Sequence, residues 1–278
     1  EIKQYCEQNN KQIYDYVYET EGEERKNFLG EIWEAMKESI CFGLNAEGII
    51  PGKLQLSKRA KSIYNNKIEN EPTEVKRTRL LTAYAYAVSE TNASGGEIVT
   101  APTCGSCGVL PATLYYLQKE DKYTDEEIIN ALATAGIIGN IVKTNASISG
   151  AECGCQAEIG TACSMAAAAC SQLRKLDIYK IEHAAEIAME HHLGLTCDPI
   201  YGYVQIPCIE RNAVAAIRAI DASNISMLLD ENQKISFDLI TETMYETGKD
   251  LRSHYRETST GGLAKKYCRN KYYNTDME

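Results

Sequence analysis

The sequence predicts a mainly α fold: an Ala-rich helical domain whose Gly-, Pro- and Cys-rich loops converge on one site. Three observations predict it. Apolar residues recur at three- and four-residue spacing along most of the chain, and no stretch alternates with period two. Three segments are rich in Ala, whose small side chain lets helix axes approach closely. Gly, Pro and Cys gather in four short segments between the periodic ones, where sharp turns and close backbone approach are needed.

Residues 1–20 are acidic and Tyr-rich, and read either as a packing or interface helix or as a solvated helix face. Residues 23–42 place Phe28, Leu29, Ile32, Trp33, Met36 and Ile40 on one face, an amphipathic helix. Residues 1–42 are thus expected to form an N-terminal helical segment packed on a single domain spanning 1–278. Pro72 suits a helix start, and the Ala/Leu/Tyr run after it continues to about Ser94. Thr124 with Glu127 forms a capping box for a helix reaching about Lys143. Residues 158–174, 180–193 and 209–223 read as helices, the first and last Ala-rich. Ser236 is a fitting cap for a helix to about Arg252. The four loops are residues 43–52, 95–111, 145–160 and 196–207.

Composition narrows the function. The 278 residues carry a net charge of -10, which disfavours nucleic acid and anionic membrane surfaces, both of which recruit Lys and Arg. No apolar run approaches the roughly 20 residues of a spanning helix. The N-terminus EIKQYCEQNN shows no signal-peptide pattern, so a cytoplasmic location is expected. Eleven cysteines in such a chain argue for a metal or redox site before a disulfide scaffold.

Eight of the eleven lie between 104 and 208. Cys104 and Cys107 form C-x2-C, Cys153 and Cys155 form C-x-C, Cys197 precedes Asp-Pro and Cys208 follows Pro207. Cys163 and Cys170, seven apart in an Ala-rich helix, read as small buried hydrophobes. For the other six, spacing leaves three readings open: structural zinc, an iron–sulfur cluster, or packing. Cys6, Cys41 and Cys268 are scattered and read as incidental thiols. Thr100, Thr103, Ser147, Ser149 and Glu152 stand in the same loops and offer hydroxyl and carboxylate groups to a substrate. Arg211, just after Cys208, offers a cation for a substrate carboxylate or for Glu210 or Asp198 beside it.

Four segments carry a resemblance: GLNAEGIIPGKL at 43–54, TAPTCGSCGVLPA at 100–112, SISGAECGCQAEIGTACSMAAAA at 147–169 and CDPIYGYVQIPCIERNA at 197–213, with STGGLA at 259–264 as a weaker fifth. In these the chain resembles the alpha chain of bacterial iron–sulfur-dependent L-serine dehydratase (L-serine ammonia-lyase). The resemblance implies that Cys155, Cys197 and Cys208 hold three irons of a [4Fe-4S] cluster, with the fourth iron open to L-serine. It assigns no ligand role to Cys104, Cys107 or Cys153. It implies an oxygen-sensitive lyase of amino-acid degradation and gluconeogenesis that forms pyruvate and ammonia.

The family also carries a beta domain with a Ser-Ser-Ser-His-Thr-type loop thought to supply the base. This sequence has no such loop, and His183, His191 and His192 share one helix pattern. A separate beta chain in a hetero-oligomer is therefore expected. Some related single chains bring a C-terminal cysteine to the cluster; Cys268, with ten residues after it, is poorly placed for that. No lysine suits a pyridoxal-phosphate Schiff base, and Lys143 reads as a helix C-terminal cation, so no pyridoxal phosphate is expected. Three rival readings stand beside the resemblance: an L-cysteine desulfidase-like lyase, a non-catalytic iron–sulfur sensor and a zinc-stabilised helical module.

Overall fold

The helix that organises the molecule is buried on every side. In the computed structural model, which describes residues 1–230 and 232–275, every residue of Thr161–Leu173 is buried. A helix with no solvated face must be surrounded by others. The Ala166–Ala169 run allows that, because it adds little radius.

In chain order the described helices are α1 Ile2–Asn9, α2 Ile13–Glu21, α3 Arg25–Asn45, α4 Ala60–Asn65, α5 Thr73–Ala93, α6 Val109–Asp121, α7 Asp125–Asn145, α8 Gly150–Cys153, α9 Thr161–Leu173, α10 Ile178–Glu190, α11 Cys208–Leu228, α12 Phe237–Asp250 and α13 Gly262–Thr275. The mainly α expectation holds: among the described residues there is no strand, only the isolated bridges Ile49–Ser57 and Cys197–Arg256. The central α9 packs against α6, α7, α10 and α11, while α5 lies against α3, α4, α6 and α11. Three polar side chains on α9 find partners on neighbouring helices. Ser164 donates to the Ala185 carbonyl at 2.7 Å, Ser171 and Ser223 share a bond of 2.8 Å, and Gln172 accepts from Thr134 at 3.1 Å.

Local chemistry sets several boundaries. Thr124 and Glu127 bond reciprocally at the start of α7, and Ser236 accepts from the Leu239 N–H at the start of α12. Pro72 caps α5, and Lys143 stands in the last turn of α7. The structure also corrects the reading. Residues 1–20 are two helices, parted where Asn10 turns left-handed (φ 52°) and a Gln12–Asp15 capping box begins α2. Residues 158–160 belong to a π turn ahead of α9. The helix α6 was not expected, because Pro111 looked like the end of a loop. It sits in the first turn, where its missing N–H costs nothing. α4, α8 and α13 were not expected either.

The N-terminal helices are tied on by specific bonds. Tyr18 donates to Asn130 at 2.8 Å, and the Trp33 indole donates to Asp125 at 2.9 Å. One hydrophobic cluster runs from Ile13 to Met244. No helix among the described residues is long and apolar enough to cross a membrane.

Candidate metal centre

Three chain segments deliver thiols to one place. Cys155 follows Gly154, whose φ of 75° ends α8 and reverses the chain. A Cβ at 154 would sit 2.8 Å from the Leu195 carbonyl oxygen and 2.6 Å from Leu251, so only glycine fits. The reversal leads directly into the π turn Gln156–Gly160, which carries Glu158. Such turns inside helical runs recur at functional sites. Cys197 lies on an extended segment: its N–H donates to the Tyr255 carbonyl at 2.8 Å, and its own carbonyl accepts from the Glu257 N–H at 2.6 Å. Cys208 is the first residue of α11.

The Cys155 and Cys197 sulfurs and a Glu158 carboxylate oxygen lie within 4.8 Å of one another. Glu158 was not singled out from the sequence. Its Oε2 faces the Cys197 thiol at 3.9 Å, and its Oε1 accepts from the Thr103 hydroxyl at 2.7 Å. Burial pushes the Glu158 carboxyl above its usual range, against the pull of Thr103. Cys155 is held below the ordinary thiol range, first by hydrogen bonding with Cys197 and then by the Arg211 cation, while burial opposes both. Cys197 moves the other way, through the same hydrogen bond and burial. The hydrogen bond between the two thiols thus shifts them in opposite directions, Cys155 toward the thiolate and Cys197 toward the thiol. Cys208 lies outside the 4.8 Å group. Burial, then the Cys155 and Glu158 charges, push its thiol up to about 12.

Buried amides fix the scaffold around these groups. Gln156 donates to the carbonyls of Cys153 (2.9 Å) and Met244 (3.2 Å) and accepts from the Gly194 N–H at 2.8 Å. It thereby joins the π turn, α12 and the segment leading to Cys197. Asp198 accepts from the Leu263 N–H at 2.5 Å and from Thr196 at 3.1 Å, which brings the start of α13 to the same segment.

A set of buried thiols with an adjacent cation and a carboxylate is compatible with an iron–sulfur group, whose ligands are thiolates. Comparison with known proteins narrows the possibilities. The family described as "Serine dehydratase alpha chain" matches residues 2–264. The chain belongs to this family. It is 46% identical over 277 residues to an L-serine dehydratase of Haemophilus influenzae, covering 96% of this chain and 60% of that protein. It is 43% identical over 278 residues to L-serine dehydratase 2 of Escherichia coli, with the same coverage. An L-serine dehydratase of Streptomyces coelicolor is 46% identical over 249 residues, 89% of this chain and 54% of that protein. The chain thus spans about 60% of the length of the curated relatives it matches.

In this serine dehydratase alpha-type chain, the residues expected to touch substrate fall into two groups. Thr103 and Arg211 stand with the thiols. Arg211 donates to the Thr196 carbonyl at 2.7 Å and lies 4.0 Å from Asp198. Ser147, Ser149 and Glu152 belong to the start of α8. The buried Ser147 hydroxyl accepts from the Ser149 N–H at 3.1 Å. The Glu152 carboxylate turns toward α12, accepting from Lys249 at 2.6 Å and Tyr245 at 3.3 Å. Lys249, then Ser147, hold it below the usual carboxylate range. Thr100 is exposed on the loop before the thiol-bearing turn.

Among the remaining thiols, Cys104 is exposed, Cys268 is half-buried, and Cys107, Cys153, Cys163 and Cys170 are buried. Glu158 could have been noticed as the one charge inside the apolar run from Ala157 to Ala169.

Proposed function

We propose that this chain is the cluster-bearing alpha subunit of an L-serine dehydratase, converting L-serine to pyruvate and ammonia together with a beta chain in a cytoplasmic hetero-oligomer. The observation that carries the reading is the convergence of Cys155, Cys197 and Glu158 inside segments shared with the serine dehydratase alpha chain family.

In this reading Cys155, Cys197 and Cys208 hold a [4Fe-4S] cluster. When bound, the cluster supplies a Lewis acid for departure of the β-hydroxyl, a poor leaving group at neutral pH. The Cys197 hydrogen bond first, then the Arg211 cation, lower the Cys155 thiol toward its ligating form, and Arg211 offers its cation to the substrate carboxylate. Thr103 fixes the Glu158 carboxylate and, with Thr100, offers hydroxyls to substrate. Ser147 and Ser149 take the same role from the α8 side, while Glu152, paired with Lys249, ties that end of α8 to α12. The buried scaffold keeps bulk water from the thiols. Removal of the α-proton needs a positioned base, which the reading places on the beta chain. The product enamine then tautomerises and hydrolyses without net oxidation.

The test is pyruvate formation from L-serine under strict anaerobiosis, using this chain alone, a beta chain alone and the two mixed. Turnover is expected in the mixture. A mixture that is inert on L-serine but releases sulfide from L-cysteine would overturn the substrate assignment.

A further inference from the structure

We propose that Glu158 is an oxygen ligand that completes the donor set of Cys155, Cys197 and Cys208, holding in the resting protein the iron that has no thiolate. The proposal rests on the cluster reading above and adds a fourth donor from within the same chain.

Geometry points to it. The Glu158 oxygen shares the 4.8 Å group with the Cys155 and Cys197 sulfurs, so the carboxylate stands on the side of the site where those thiolates would hold the cluster. The carboxylate is aimed. Thr103 occupies Oε1 at 2.7 Å, which leaves Oε2 facing the thiols, 3.9 Å from Cys197.

The surrounding backbone makes room for this orientation. A Cβ at Gly150 would stand 2.6 Å from Oε2 and 3.1 Å from the Cys197 sulfur, and one at Gly105 would stand 2.9 Å from Oε1. Two glycines from separate chain segments, one opening α8, thus frame one carboxylate. Among the described residues no lysine or arginine lies within ion-pair distance of Glu158, and the nearby Arg211 is directed at Thr196 and Asp198. A half-buried carboxylate with no cation in ion-pair contact is costly, and a bound metal ion supplies positive charge at its free oxygen. Glu158 is therefore the ligand and Thr103 its positioning residue.

The experiment compares anaerobically purified wild type, Glu158→Gln and Thr103→Val by iron and acid-labile sulfide analysis. Low-temperature EPR follows, before and after one equivalent of ferricyanide. Wild type should keep about four irons and four sulfides per chain. Glu158→Gln should keep its sulfide, lose one iron and give a several-fold stronger three-iron EPR signal, with Thr103→Val in between. Glu158→Asp retains an oxygen donor and should stay closer to wild type, which keeps the comparison usable if the Gln variant misfolds.

A Gln variant with wild-type iron and an unchanged EPR signal would overturn the proposal, whatever its turnover. Joint loss of iron and sulfide from a folded Gln variant would also overturn it, since the residue would then build the whole site. A wild type without cluster would instead sink the reading beneath it.

Discussion

The Asn212 side chain holds Gly108 in a two-way clamp: the Gly108 N–H donates to Asn212 Oδ1 at 2.8 Å, while Asn212 Nδ2 donates to the carbonyls of Gly105 (2.8 Å) and Cys208 (2.9 Å). One buried amide thus fastens the loop bearing Thr103 to the turn of α11 bearing Cys208. Its hydrogen-bonding capacity is nearly all used, so it cannot be replaced without leaving backbone groups unpaired.

Asn212→Leu should therefore cost about 3 kcal/mol, because at least two buried backbone groups lose their partner. Urea unfolding measures this, and iron content should fall with it as the loop loosens. A loss below about 0.5 kcal/mol would show that the clamp contributes little.

At Gly43 the α3 backbone lies directly against the α5 backbone at Ala87. A Cβ there would lie 2.2 Å from the Ala87 carbonyl oxygen. Gly43→Ala should push the helices apart and cost about 3 kcal/mol, the upper end for overpacking. Thermal unfolding checks it, and an unchanged midpoint would contradict the packing.

His192 is buried against α10, its Nδ1 2.6 Å from the Ala188 carbonyl, and burial lowers its pKa to about 4. The unfolded chain binds that proton near pH 6.5, so it binds more protons than the folded state between those values. The stability from neutral His192 is full above about pH 6.5 and is lost as pH falls toward 4, on the order of 2 kcal/mol. His192→Asn should flatten this acid slope in urea titrations. An equal slope in the variant would place its origin elsewhere.

Glu186 shows the opposite sign. Burial, then Glu190, raise its carboxyl to about 7, and its Oε1 has no partner. The folded state keeps a proton that the unfolded chain releases, so Glu186 costs stability as pH climbs from the usual carboxylate range through 7. Glu186→Gln should stabilise the protein at pH 8 by on the order of 2 kcal/mol and have little effect at pH 4.5. Equal effects at both values would contradict this.

Thiol accessibility separates the C-x2-C pair. Cys104 is exposed, whereas Cys107 is fully buried, with its thiol pushed up by burial. Anaerobic maleimide labelling should modify Cys41 and Cys104 first, and mass spectrometry locates the adducts. Equal rates at Cys104 and Cys107 would contradict the placement.

Most of the helices were legible because their signals are local. The Thr124–Glu127 box, the Ser236 cap and Pro72 each act within one turn. The break at Asn10 escaped notice because a left-handed residue is optional for asparagine, and α6 did because Pro111 suits a loop end and a first helical turn equally. The site was legible only through resemblance: cysteine spacing left zinc, cluster and packing open. Glu158 was hidden because its neighbours are distant in sequence, Thr103 by 55 residues and Cys197 by 39. No periodicity reports such contacts.

The central claim is that this chain's cysteines hold an iron–sulfur cluster. The most direct measurement is iron, zinc and acid-labile sulfide per chain after strictly anaerobic purification, for wild type and for Cys155→Ala, Cys197→Ala, Cys208→Ala and Cys163→Ala. The account predicts near-equal iron and sulfide of about four each, lost in the first three variants. Cys163→Ala should keep them and forfeit only packing, on the order of 1 kcal/mol. Zinc without sulfide in the wild type, or full iron in all of the first three variants, would contradict it.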